Sequence, residues 1–341
     1  LEIFLEGSVK KYSRYLLMVS IITILLLVIV GCADKEFKTV TLTKTSVETR
    51  ITTTTVTKVN NAINIIDDLG RKVKIEGTPQ RIVSLAPSNT EIIYALGLED
   101  KLIAVTEYCN FPQDALSKEK IGGFGDVDVE KVVALNPDLI LAEDLHKHEV
   151  IPALERLGFA VIALVPHNFN EIMDSIKLIG SVTGAEEKAV QIVDDMNQRI
   201  EEITTKTDSI IEPERPKVLY VIWHEPIMSV GNDTRIHELI EKAGGINIAA
   251  VAGSGYPTLA LEEVINANPQ LILVNEEDYE GGDISLQFIQ NESRLTIVDA
   301  SINGKIFGIN ADLTNRPTPR IVEALELMVK MIHPEIFGSH E

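Results

Sequence analysis

Cysteine is almost absent: Cys32 and Cys109 are the only two in 341 residues. A disulfide scaffold is therefore excluded, and stability must come from buried apolar surface, for which the length allows about two domains with their own cores. Cations are also scarce, with 31 Lys and Arg against 51 Asp and Glu and a formal charge of −20. A surface of that sign repels nucleic-acid phosphates, so nucleic acid is not an expected partner. The glycine patterns of common reactive sites are missing too. The run 122–125, GGFG, lacks the Gly-x-Gly-x-x-Gly spacing that cradles a pyrophosphate, and Gly253-Ser254-Gly255 lacks the Gly-x-Ser-x-Gly of a nucleophile elbow. Cys109 has no signalled base beside it. No catalytic residue, cofactor or resident metal is expected, and the chain reads as a non-enzyme.

One long apolar run is present, near the start. Lys10, Lys11 and Arg14 precede YLLMVSIITILLLVIVGC, residues 15–32, the basic and apolar regions of a secretory signal. Its last four residues, IVGC, resemble a lipobox, which implies cleavage before Cys32 and lipid attachment to its sulfur. An uncleaved anchor is the alternative, because the run sits at the lower limit for a bilayer span. Either way the body is expected outside the cytoplasm, on the outer face of the cytoplasmic membrane. Residues 1–31 are thus the signal, and the threonine-rich 32–62, without a period that builds a buried face, reads as a tether or an edge strand.

Beyond it the apolar pattern alternates between short strands and helices. INIIDDLGRKVKI (63–75) reads as a hairpin, followed by strands in RIVSLA, KLIAVT, DLILA and AVIAL separated by helical stretches. A second series has strands in KVLYVIW, INIAAV, LILVN and KIFGI. Continuously apolar strands are covered on both faces, as in parallel sheets. Between the series, Ala189, Ile192, Val193, Met196, Ile200 and Ile203 form one helical stripe, and Thr183 with Glu186 suggests a capping box. The expected architecture is α/β: a lobe at 63–182, a linking helix at 183–207, and a lobe at 208–337, each with a mainly parallel sheet.

The two lobes share text. VDVEKVVALNPDLILA (127–142) and LALEEVINANPQLILV (259–274) agree at seven of sixteen positions. With DDLGRKVKIEGTPQRIVSLAPSNTEIIYALG, EYCNFP and RPTPRIVEAL, in this order and spacing, residues 63 to 337 resemble the substrate-binding proteins of ABC importers for cobalamin, haem and ferric siderophores, and within them the cobalamin binders. The resemblance implies a monomer holding a corrinoid between its lobes and handing it to a permease and its ATPase, with a ferric siderophore or haem as the other ligands in view. It also implies roles: Tyr108, Phe124 and Tyr256 as aromatic ligand contacts, Asp312 and Arg316 as polar ones, and Glu130 and Glu262 as docking residues for the permease. Trp223, the single tryptophan, joins the ligand contacts by its place after a strand. Phe124 and Tyr256 stand where a relative has tryptophan, and Glu263 could substitute for Glu262. A zinc or manganese carrier of similar architecture is a further reading, since His146, His148, His167 and His224 follow expected strands; yet no histidine pair has i, i+4 spacing.

Overall fold

The structure is a computed structural model and describes residues 40–41, 55–59, 62–276 and 284–339. Cys32 and the expected signal lie outside the described residues. An antiparallel sheet opens the body: β1 (Val40–Thr41), β2 (Thr55–Val59), β3 (Ala62–Ile66) and β4 (Lys72–Glu76) pair in that order. Thr55–Val59, inside the threonine-rich stretch, thus forms a strand against the expected hairpin.

The first lobe contains β5 (Ile82–Ser84), α1 (Pro87–Ala95), β6 (Leu102–Val105), β7 (Glu119–Lys120), α2 (Val129–Ala134), β8 (Leu139–Ala142), α3 (Val150–Arg156), β9 (Val161–Ala163) and α4 (Phe169–Thr183). After the linking helix α5 (Glu186–Thr207), the second contains β10 (Lys217–Val221), β11 (Trp223–His224), β12 (Ile227–Met228), α6 (Arg235–Lys242), β13 (Ile246–Asn247), β14 (Thr258–Leu259), α7 (Leu261–Ala267), β15 (Leu271–Glu276), α8 (Ile284–Asn291), α9 (Asp299–Ile302), β16 (Ile306–Asn310), α10 (Ala311–Asn315) and α11 (Ile321–Ile332). The sheet orders are β7-β6-β5-β8-β9 and β13-β10-β15-β16, parallel throughout. Apart from the extra edge strand β7 they are one winding, second-first-third-fourth, used twice. All of β8 is buried, which its unbroken apolar sequence requires.

The duplicated text has a backbone counterpart. Asn136 and Asn268, equivalent in the repeat, have φ of 45° and 50°, and among the described residues they are the two non-glycine positions with positive φ. Asparagine tolerates this conformation better than other side chains. It reverses the chain after α2 and after α7, and the following proline cannot extend a helix.

A continuous apolar core runs from the first lobe through α5 into the second, and separate cores fill the outer face of each sheet. Ala189, Val193, Met196 and Ile203 of the predicted stripe are buried, and Ile192 and Ile200 pack beside them. At 1.5 Å per residue α5 is about 33 Å long. Arg199 clamps it to α11 through two hydrogen bonds of 2.8 and 2.9 Å to Glu326.

The junction before α5 differs from the expected capping box. Helix α4 runs through Thr183, whose hydroxyl donates to the Ile179 carbonyl at 2.6 Å, and Gly184 (φ 79°) ends it. Gly184 and Ala185 alone separate the helices, and Ala185 caps α5 without a side-chain bond. Close approach there depends on Gly180, where an added Cβ would lie 2.5 Å from the Cβ of Ala189. Gly180→Ala should therefore cost about 1–3 kcal/mol by overpacking, read as a lower urea midpoint. A second difference is INIAAV, which is strand only over Ile246–Asn247. The Asn247 side chain accepts from the Ala249 N–H at 3.0 Å and starts a 3-10 turn instead.

Candidate functional site

In both sheets the winding reverses direction where the first strand meets the third, at β5/β8 and β10/β15. Loops leaving those strands diverge and open a crevice at the carboxyl edge. A cavity of about 750 Å³ lies there between the lobes. The first lobe lines it with Pro87 and Ser88 after β5, Glu107, Tyr108 and Asn110 after β6, Phe124 and Gly125 before α2, residues 143–145 after β8 and 164–167 after β9. The second contributes Arg235 at the start of α6, Glu276 at the end of β15, and Asn310, Ala311, Asp312, Asn315, Arg316 and Pro317 around α10.

Among the described residues the wall carries five carboxylates (Glu107, Glu143, Asp144, Glu276, Asp312) and two guanidinium groups (Arg235, Arg316). Both arginines are already engaged by protein. Arg235 donates to the carbonyls of Pro166 at 2.6 Å and Asn315 at 2.8 Å, and burial lowers its pKa. Arg316 pairs with Glu91 at 2.9 Å and with Asp312 at 2.7 Å. Glu143 is held above the usual carboxylate range by burial, against the opposing pull of a hydrogen bond from Ser88 and the charge of Arg235. The wall is thus rich in hydrogen-bond acceptors, with Asp144 paired to Lys147 and Asp312 to Arg316, while the Arg235 Nε is buried without a partner.

His146 has a structural task. Its Nδ1 accepts from the Glu143 N–H at 3.1 Å, so Nε2 carries the proton and donates to the Phe124 carbonyl at 2.9 Å. The Phe124 ring meets the imidazole edge-on at 5.5 Å. The residue thereby fixes both the Phe124 loop and the turn after β8. Burial disfavours the imidazolium and lowers the pKa. A histidine whose folded pKa lies below its unfolded one stabilises the fold above the unfolded value, and that contribution is lost as pH falls through the folded pKa. An NMR titration of His146 should accordingly show the Nε2–H tautomer and a midpoint below the ordinary 6.5; a midpoint above it would contradict this packing. Of the four histidines weighed as metal ligands only His167 lines the cavity, and His224 Nδ1 lies 2.9 Å from the Ser285 hydroxyl. Among the described residues no group of three or more His, Cys, Asp or Glu is arranged to hold a metal ion.

Of the residues singled out in the sequence, Tyr108, Phe124, Asp312 and Arg316 converge on the cavity. Trp223 and Tyr256 are not among its lining residues. Trp223 is exposed, its indole N–H donating to the Glu225 carbonyl and its ring 4.6 Å from His224. Tyr256 is also exposed, within electrostatic reach of Arg235. Glu130 and Glu262 are exposed and occupy the same position, the second residue of α2 and of α7. The caps are made by others: Asp128 accepts from the Lys131 N–H at 2.9 Å, and Glu263 from the Ala260 N–H at 2.7 Å. Glu263 is thus committed to its own helix, which leaves Glu262 as the matching partner of Glu130.

Helix α1 holds residues that sequence reasoning missed. Ser88, Asn89 and Thr90 stand at a helix start, where such residues ordinarily serve as caps, but they and Glu91 are all buried. Asn89 donates to the Ala142 carbonyl, Thr90 to Ser84 and Ala86, and Glu91 receives arginines from the other lobe. Four consecutive polar residues ahead of Ile92 and Ile93 in a short helix between sheets were the available signal.

Two α/β lobes of one winding, joined by a single helix around an interlobe cavity, define a two-lobed solute-binding protein. Comparison with known proteins agrees. The periplasmic binding protein family pattern matches residues 82–313, and the chain belongs to that family. It is similar to the Bacillus subtilis ABC transporter substrate-binding lipoprotein YvrC, with 31% identity over 81% of this chain and 87% of that one. It is also similar to the vitamin B12-binding protein of Vibrio cholerae, with 32% identity over 72% and 87% respectively. The crystal structure of the periplasmic vitamin B12-binding protein BtuF of Vibrio cholerae matches with a TM-score of 0.63 at 30% identity, covering 74% of this chain and 96% of that one. The chain is therefore a solute-binding protein of an ABC importer, acting outside the cytoplasm beside a permease and its ATPase, and not an enzyme. No helix among the described residues is long and apolar enough to cross a membrane.

Proposed function

We propose that this protein captures a corrinoid in its interlobe cavity and delivers it to an ABC permease, tethered to the membrane through a lipid on Cys32. The observation that carries the ligand assignment is the make-up of the wall. Tyr108 and Phe124 offer aromatic faces to a flat macrocycle, while the carboxylates exceed the guanidinium groups and both arginines are bound by protein. A ligand with carboxylates of its own, such as haem, would find Arg316 already paired with Glu91 and Asp312 and Arg235 already bonded to two backbone carbonyls. A corrin ring bordered by amides brings N–H donors to this wall and no carboxylates. The volume is within the range of small-molecule sites, roughly 300–1,000 Å³. The vitamin B12-binding relative at 32% identity supports the same reading. A neutral or cationic ferric hydroxamate satisfies the same wall and is the second reading.

The test is a binding panel on the exported body with cyanocobalamin, cobinamide, haemin and a ferric hydroxamate, followed by visible absorbance. Tight binding of a corrinoid with haemin much weaker is the expected result. Preference for haemin would overturn the assignment, and preference for the hydroxamate would move it to the second reading.

A further inference from the structure

On one side of the cleft the lobes are tied by a buried charge cluster. Glu91 of α1 has a side chain only 2% exposed, and every charged partner it has comes from the second lobe. Arg316 reaches it at 2.9 Å and Arg320 at 3.5 Å. Arg316 then extends back over the first lobe, donating to the Asn110 side-chain oxygen at 2.7 Å and contacting the Tyr108 carbonyl at 3.5 Å. Asn110 in turn donates to Asp312 at 2.9 Å. The guanidinium of Arg320 stacks 3.6 Å from the ring centre of Phe111. The 108–111 loop and the segment leading into α11 are therefore held together by one cluster, in which Arg316 bonds Glu91, Asn110 and Asp312 and Glu91 is the buried carboxylate that both arginines share.

We propose that Glu91 is the positioning residue of the cleft: it anchors Arg316, and through it sets the separation between the Tyr108 loop and Asp312 that a ligand must fit. A buried ion pair broken by removing one partner leaves uncompensated charge behind, so its loss is felt by everything the partner orients. Separation of the lobes on this side exposes Glu91 and both arginines to water together. The ligand-related part of the inference rests on the solute-binding reading given above; the bracket itself does not.

The experiment has one arm without ligand. In Glu91→Gln, which preserves shape, amide hydrogen exchange of the unliganded protein should rise about tenfold or more in two segments distant in sequence, 107–112 and 311–320, by local opening. Arg320→Gln, changed from the opposite lobe, should give the same two-segment pattern, and it decides the matter if the Glu91 variant folds poorly. Increased exchange confined to α1, or no change, would overturn the proposal. In the second arm cyanocobalamin is the probe. Its dissociation constant should rise about tenfold in Glu91→Gln, and the double variant with Arg316→Gln should bind no worse than the weaker single variant, as expected of groups acting together. Additive losses would contradict the bracket. If the unaltered protein fails to bind cyanocobalamin, the corrinoid reading falls while the exchange arm still decides the bracket.

Discussion

Reversing Glu130 and Glu262 together to lysine should reduce solute uptake by about a hundredfold or more while the dissociation constant stays within about twofold, because rim charges govern encounter and register with a partner rather than the contents of a cleft. The two residues are exposed and occupy the same place in both copies of the duplicated segment. Neither is needed to start its helix, since Asp128 and Glu263 supply the caps. What each contributes locally is a favourable interaction with the helix dipole, about 0.3–1 kcal/mol. Loss of that amount does not unfold a domain of this size, so transport can fail while binding persists. Single reversals should give partial losses of similar size. Uptake in reconstituted vesicles, with affinity measured on the same preparations, checks the result; unaffected uptake by the double variant would remove these residues from the docking account.

Removing the aromatic faces should act on the other function. Tyr108→Ala and Phe124→Ala each forfeit roughly 1.5–3 kcal/mol of apolar contact with a ring-shaped ligand, or about tenfold to a hundredfold in cyanocobalamin affinity. The rings reach the cavity by different means. Tyr108 is half exposed in the loop after β6, and Phe124 is fixed by the hydrogen bond and ring contact to His146. Trp223→Ala is the informative control. Although tryptophan is the largest aromatic group, this one is not among the residues lining the wall, and its removal should change affinity by less than about twofold. A Trp223 effect as large as that of Tyr108 would mean that the ligand extends well beyond the cavity described above.

The sequence revealed the elements whose signal is local and periodic. Continuous apolar strands, the stripe of α5 and the Asn-Pro stops of the repeat are each dictated within a few residues, and the structure reproduces them at Leu139–Ala142, Glu186–Thr207, Asn136 and Asn268. Where two local signals competed, the outcome was not legible. Thr183 had the chemistry of a cap, but α4 extended through it because Gly184 provided a better stop. The turn chemistry of Asn247 likewise overrode the β-propensity of the residues after it. Long-range pairs left no trace at all. Glu91 and Arg316 are 225 residues apart, and nothing in the polar run at the start of α1 distinguishes a solvated helix end from a buried interlobe bracket. The candidate aromatic residues illustrate the same limit: the family resemblance drew attention to Tyr108, Phe124 and Tyr256 and strand-end position to Trp223, yet only Tyr108 and Phe124 are among the residues lining the cavity.

The central claim is that a cobalt-containing macrocycle is held between the lobes at the strand ends. Crystals grown with cyanocobalamin and measured at the cobalt absorption edge test it directly. One anomalous peak is expected inside the interlobe cavity, flanked by Tyr108 and Phe124 on one side and Asp312 on the other. A peak elsewhere on the surface, or none in crystals of protein saturated with the vitamin, would contradict it.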